Sequence, residues 1–308
     1  MDYQPPFILF NNHLQTIYPA LLRKIDLQGA ETVTLTTPDE DFLELDSYRQ
    51  NAQNCVVISH GLEGNSRRAY VLGMARAFFQ QGYDVLAWNY RGCGSRMNRQ
   101  LRFYHSGATD DLSTVIDYAA KHYKEITLVG FSLGGNLTLK YLGEPKVNAQ
   151  VKRAVALSVP LDLHTSCLEI SKRSNLLYAR RFLKSLTRKV LAKAAAHREL
   201  NVRGLDKIRS LIEFDNRYTA PLHGFKDAVD YYQQCSSIHF LPRIAVPTLL
   251  VNAKNDPFLS PQCYPETTPS SSLTIEYPAF GGHVGFALFD KKGLYWSELR
   301  ALDFVNHS

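Results

Sequence analysis

The strongest constraint on the fold is an alternation between short, unbroken apolar runs and segments whose apolar residues recur at helical spacing. The apolar runs occupy 54–60 (NCVVISH), 83–90 (YDVLAWNY), 125–130 (EITLVG) and 153–159 (RAVALSV). Amphipathic helical patterns begin at Arg67 and Thr109, and a shorter one stops near Gly143. Strands buried on both faces and separated by helices are typical of a parallel sheet covered on both sides. The pattern therefore predicts an α/β fold with a mostly parallel, doubly wound sheet.

Two segments depart from this alternation. The runs 31–37 (ETVTLTT) and 41–48 (DFLELDSY) flank a short Pro-Asp-Glu turn, which predicts an N-terminal antiparallel hairpin. From about 161 to 240 the pattern is largely helical, and strand patterns resume at 247–253 and 272–278. We therefore expect residues 1–308 to form a single domain, with an inserted helical cap at about 161–240.

Cysteine usage and hydropathy limit the class of protein. Five cysteines contain no CxxC pair and are odd in number, so neither a disulfide framework nor a metal site is expected. The N-terminal residues lack a secretory pattern, and no apolar run approaches the ~20 residues that span a bilayer. A cytoplasmic protein with reduced thiols is the simplest prediction.

The net charge of +6 is unevenly distributed, because Lys and Arg dominate between about 172 and 209. One interpretation is a solvated helix face. The other is attraction to acidic substrates or transient contact with an anionic membrane surface. No nucleic-acid partner is predicted, and the oligomeric state stays open.

The segment 130–134 (GFSLG) matches G-x-S-x-G at the point where an apolar strand ends and a helix begins. A nucleophile elbow requires this context. Side chains at Gly130 and Gly134 would collide with neighbouring backbone in so tight a turn, and glycine removes that obstacle. Ser132 is therefore the predicted nucleophile.

A serine hydroxyl needs a base, and histidine titrates in the appropriate range. His283 follows the last predicted strand and is preceded by two glycines, so it is the predicted general base. Asp256 ends the preceding strand and is predicted to orient the imidazole, with Asp290 as the fallback. The order Ser132, Asp256, His283 is typical of α/β-hydrolases.

Two backbone N–H groups are expected to stabilise the oxyanion. One belongs to Leu133, after the nucleophile, and the other to Leu62, in the turn 60–64 (HGLEG) that follows an apolar strand. In this turn Gly61 supports the backbone, and His60 is expected to be structural.

Several motifs together resemble the AB hydrolase superfamily and, more narrowly, the YheT-like esterases of the AB hydrolase 4 family. The motifs are 12–19 (NHLQTIYP), 60–64 (HGLEG), 89–93 (NYRGC), 104–107 (YHSG), 130–136 (GFSLGGN), 255–257 (NDP) and 282–283 (GH). The resemblance implies a charge relay of Ser132, Asp256 and His283, ester hydrolysis without a cofactor, and a helical cap. One departure is Cys93-Gly94-Ser95, where many relatives have Cys-Ser-Gly.

These observations favour a serine hydrolase that cleaves small-molecule carboxylic esters with short- to medium-chain acyl or lipid-like groups. One alternative is an acyltransferase that uses the same three residues, and another is a non-catalytic, ligand-binding member of the fold. His105 and Asp110 also have the H-x4-D spacing of some acyltransferases. We instead expect Thr109 to cap the next helix.

Overall fold

A computed structural model of the chain describes residues 2–290 and 292–307. Its centre is an eight-stranded sheet in the order β1-β2-β4-β3-β5-β6-β7-β8. The strands are β1 (Glu31–Thr36), β2 (Phe42–Tyr48), β3 (Asn54–Ser59), β4 (Asp84–Asn89), β5 (Glu125–Phe131), β6 (Val151–Leu157), β7 (Thr248–Val251) and β8 (Leu273–Glu276). Every predicted strand is present, with bounds that differ by a few residues.

Strand β2 runs antiparallel to both of its neighbours, β1 and β4, whereas the remaining neighbours pair in parallel. The prediction of a mostly parallel sheet with an N-terminal antiparallel hairpin is confirmed. Register brings the carboxyl ends of the central strands together, because Ser59 pairs with Gly130 and Phe131 pairs with Leu157. The loops after β3, β5 and β6 therefore leave the sheet at one edge.

The helices are α1 (Asn12–Leu22), α2 (Ala69–Gln80), α3 (Thr109–Ala120), α4 (Leu133–Leu142), α5 (Leu163–Ile170), α6 (Leu176–Ala196), α7 (Leu211–Phe214), α8 (Ala220–Leu222), α9 (Ala228–Cys235) and α10 (Trp296–His307). Helix α1 is absent from the sequence-based prediction. Its N-cap is Asn11, whose side chain accepts a hydrogen bond from Leu14 N, and it contains Pro19. Proline inside a helix lacks the N–H that donates to the residue four positions earlier, so Pro19 conceals this helix from pattern analysis.

The segment between β6 and β7 contains α5 to α9 and short 3-10 and π turns, as its helical pattern predicts. One local prediction is wrong: Ala108, not Thr109, is the N-cap of α3, and the Thr109 hydroxyl donates instead to Glu144 Oε1 at 2.9 Å. Asp110 and Asp111 lie in the first turn of α3.

Apolar clusters cover both faces of the sheet, and a third lies within the helical segment. The five cysteines are unpaired and buried. No helix in the described part of the chain combines the length and the apolar character needed to cross a bilayer.

Candidate active site

Ser132 lies in a strained turn between β5 and α4. Its backbone has φ 52° and ψ −118°, in the left-handed region that most residues avoid. A Cβ on Gly130 would lie 2.3 Å from Gly134 O, and one on Gly134 would lie 2.3 Å from Ser59 O. The turn thus requires glycine on both sides of the serine, and it presents Ser132 at the carboxyl edge of the sheet.

Three side chains that are distant in the chain form a continuous hydrogen-bonded series at this edge. His283 Nε2 lies 2.9 Å from Ser132 Oγ. His283 Nδ1 lies 2.8 Å from Asp256 Oδ2 and 3.1 Å from Oδ1. The imidazole therefore joins the hydroxyl to the carboxylate, which is the arrangement in which histidine can take a proton from serine.

The carboxylate of Asp256 is buried and held in one orientation. Burial raises the pKa of Asp256, and the adjacent His283 opposes that rise. The Phe258 backbone N–H donates to Asp256 Oδ1 at 2.9 Å, and the Phe258 ring packs on the imidazole with centroids 4.4 Å apart. The fallback residue, Asp290, is exposed, and its Oδ1 accepts instead from Leu294 N.

The loop that carries His283 is anchored by α1, which sequence analysis missed. Gln15 Oε1 accepts from Gly281 N and from Asn255 Nδ2, each at 2.9 Å. Thr16 Oγ1 accepts from His283 N at 2.9 Å. Because these bonds join residues more than 230 positions apart, no local sequence pattern predicts them. The motif 12–19, which contains Gln15 and Thr16, was the only signal in the sequence analysis that pointed to this segment.

The two predicted oxyanion donors also border this site. A Cβ on Gly61 would lie 3.2 Å from Ser132 Cβ, so the loop after β3 passes beside the serine. The amides on either side of Leu62 are engaged, because Gly61 N donates to Tyr70 OH and Glu63 N to Tyr104 OH. Among residues 2–290 and 292–307, the Leu62 and Leu133 amides donate to no protein group. Both residues line the cavity.

His60 is buried in the protein and does not line the cavity. Its Nδ1 bonds to Gly61 O at 2.8 Å, and its Nε2 accepts from Tyr90 N at 3.3 Å. Burial lowers the pKa of His60 to about 3, so the ring is neutral. Both ring nitrogens are therefore occupied by protein groups.

Glu63 links the same loop to helix α6. Its Oε1 accepts from Lys189 Nζ and from Tyr104 OH, each at 2.7 Å, and its Oε2 accepts from the Ser185 hydroxyl. Glu63 is buried and has φ 52°. The helical segment is thereby tied to the residue next to Leu62 by an ion pair that sequence analysis did not foresee.

A cavity of about 440 Å³ opens at Ser132 and His283. It is enclosed mainly by apolar side chains from α1, α5 and α6 and by the loops after β3 and β5. Its lining includes Asp215, whose carboxylate accepts from Thr219 Oγ1 and, at 2.6 Å, from Tyr232 OH. Burial raises the pKa of Asp215 to about 6.

The H-x4-D pair is not assembled into a site. Asp110 pairs with Arg102 at 2.8 Å, whereas His105 Nδ1 accepts from Gly107 N. Within the described ranges, no group of three or more His, Cys, Asp or Glu side chains is arranged to hold a metal ion.

Comparison with known proteins identifies the class. A family model described as "alpha/beta hydrolase fold" matches residues 54–286, which is more than half of the chain. The chain belongs to this family and is a hydrolase of the esterase and lipase type.

Two curated relatives and one solved structure show which members of the family this chain is similar to. An Escherichia coli protein named "Putative esterase YheT" is 36% identical over 90% of this chain and 84% of its own length. A Saccharomyces cerevisiae monoacylglycerol lipase is 28% identical over 84% of this chain and 60% of its own length. The Pyrococcus furiosus esterase Pf2001 superposes with a TM-score of 0.60 over 92% of this chain and 97% of its own, at 15% identity. The first relative shows that this chain is YheT-like, and the superposition supports the fold.

Proposed function

We propose that the protein is a serine hydrolase that cleaves carboxylic esters through an acyl-enzyme on Ser132. The single observation that carries the proposal is the position of His283. Its Nε2 lies 2.9 Å from the Ser132 hydroxyl, and its Nδ1 lies 2.8 Å from the Asp256 carboxylate.

In this mechanism His283 Nε2 takes the proton from Ser132 Oγ as that oxygen attacks the ester carbonyl. Asp256 stabilises the imidazolium that forms. The free amides of Leu62 and Leu133 receive the developing oxyanion. His283 then returns the proton to the departing alcohol, and water repeats the sequence to release the acid.

The proposed substrate class is supported by the cavity, whose lining is mostly apolar and includes Ser132. A short- to medium-chain acyl group or a lipid-like ester suits such walls. One relative is named a monoacylglycerol lipase, which is consistent with this class. The helices between β6 and β7 form a cap over the site. The protein also makes transient contact with an anionic membrane surface.

Labelling with a fluorophosphonate probe tests the proposal, because such probes react with activated serines. We expect labelling of the wild type and none of Ser132→Ala. Ser271→Ala, on an exposed loop before β8, is the control and should label fully. Equal labelling of the wild type and Ser132→Ala would refute the assignment.

Activity on p-nitrophenyl esters of rising acyl length then defines the acyl specificity. Adding an alcohol or a lysophospholipid distinguishes two fates of the acyl-enzyme. Release of free acid indicates hydrolysis, whereas formation of a new ester indicates acyl transfer by the same residues. Binding of an ester without turnover or labelling would indicate a non-catalytic member of the fold.

A further inference from the structure

We propose that the exposed face of helix α6, with the end of α1, docks the mouth of the cavity onto an anionic lipid surface. We call this the docking face and define it as Leu21, Leu177, Arg181, Lys184, Arg188 and Leu191. The inference rests on the proposed function, since it supplies a route by which lipid-like esters reach Ser132.

Five members of the docking face are aligned along α6. Leu177, Arg181, Lys184, Arg188 and Leu191 follow one another at intervals of four, three, four and three residues, which places them on one side of a helix. All five are exposed, and the two leucines are 76% and 54% accessible. The face therefore presents two apolar ends on either side of three cations.

The positive charge of this face is not neutralised by the protein. Helix α6 (Leu176–Ala196) contains no Asp or Glu. In the part of the chain that the structure describes, Arg181, Lys184 and Arg188 form no ion pair. By contrast, Lys189, on another side of the helix, pairs with Glu63. The cations of the docking face therefore remain available to an anionic partner.

The docking face borders the mouth of the cavity that holds Ser132. Leu177 and Arg181 line that cavity together with Leu21 of α1. Leu21 is nevertheless 65% accessible, as expected for a side chain at an opening rather than within. The two helices are adjacent, because the rings of His13 on α1 and Tyr178 on α6 stack with centroids 5.8 Å apart.

The combination of cations with exposed leucines favours a membrane over other anionic partners. An interfacial helix places apolar side chains among the acyl chains while Lys and Arg contact anionic headgroups. A nucleic acid would satisfy the cations but leave the leucines in water. Docking in this orientation also turns the cavity mouth toward the lipid, so that an ester can enter without crossing water.

Vesicle co-sedimentation tests the inference with the full chain carrying Ser132→Ala, which prevents turnover. The vesicles are phosphatidylcholine alone or phosphatidylcholine mixed with phosphatidylglycerol. We expect tighter binding to the anionic vesicles, weakened by added salt. Adding Lys184→Gln and Arg188→Gln should weaken that binding about 30-fold, given the usual contribution of a basic residue near an anionic surface.

The matched control is Lys121→Gln with Lys152→Gln, which removes the same charge from exposed positions at the end of α3 and the start of β6. Because these positions lie toward the opposite edge of the sheet, we expect nearly unchanged binding. Leu191→Ser, outside the cavity, should reduce binding several-fold without altering net charge.

Three results would overturn the docking face. The first is equal binding to vesicles with and without phosphatidylglycerol. The second is an equal loss of binding in the docking-face double variant and the control double variant. The third is unchanged binding when Lys184→Gln and Arg188→Gln are combined. Fluorophosphonate labelling of wild-type protein without vesicles is measured in parallel. Labelling without anionic binding refutes docking alone, whereas selective binding without labelling refutes the esterase proposal alone.

Discussion

The anchoring of the His283 loop by α1 leads to a prediction about Gln15. Methionine has a similar length and shape but cannot form hydrogen bonds, so Gln15→Met removes the bonds with little change in volume. Gln15 is 1% exposed, and its Oε1 accepts from two donors, Gly281 N and Asn255 Nδ2. A buried donor left without an acceptor costs about 1–3 kcal/mol, which applies in full to Gly281 N and less to the half-buried Asn255 amide.

Part of this cost should be relieved by movement of the loop, which displaces His283 from Ser132. If about 1.4–2.7 kcal/mol appears in the barrier to reaction, kcat falls about 10- to 100-fold. KM should change little, because Gln15 does not line the cavity. Steady-state kinetics on a p-nitrophenyl ester, together with denaturant unfolding, measures both effects.

Gln150→Met provides the matched control for Gln15→Met. Gln150 Nε2 donates to Ala120 O and Tyr123 O just before β6, at the edge of the sheet opposite Ser132. This variant should lose stability but keep its kcat. The positioning role of Gln15 is refuted if Gln15→Met retains full kcat, or if both variants lower kcat equally.

Three further predictions follow from the site. Asp256→Asn should lower kcat by about 10⁴-fold while the protein stays folded, whereas Asp290→Asn should leave kcat unchanged; similar kinetics for the two would disprove the role of Asp256. Glu63→Gln leaves Lys189 buried without its partner and should reduce the free energy of unfolding by about 3–5 kcal/mol. Adding Lys189→Met should restore part of that loss, and additive losses in the double variant would contradict this pairing. Because burial raises the pKa of Asp215 to about 6 from its ordinary value near 3.9, the folded state holds that proton more tightly, and wild-type stability should fall relative to Asp215→Asn as pH rises from about 4 to 6. The difference in free energy of unfolding between the wild type and Asp215→Asn should change by up to about 3 kcal/mol between pH 4 and pH 8. The same difference at both pH values would exclude the effect.

Features that depend on local sterics and periodicity could be predicted from the amino-acid sequence. Unbroken apolar runs predict buried parallel strands, because both faces of such strands are covered. The glycines at 130 and 134 predict the sharp turn at Ser132, because a Cβ at either position would meet backbone within 2.3 Å. The order of Ser132, Asp256 and His283 along the chain is likewise read directly from the sequence.

Contacts between groups that are distant in the chain could not be predicted and became visible in the folded protein. Gln15 anchors the loop of His283 across 266 positions, and Lys189 reaches Glu63 across 126. Thr109 bonds to Glu144 instead of capping its own helix, because a long-range partner replaces the local one. Such contacts leave no periodic trace in the sequence, since each depends on two segments that become neighbours only when the sheet and its surrounding helices pack.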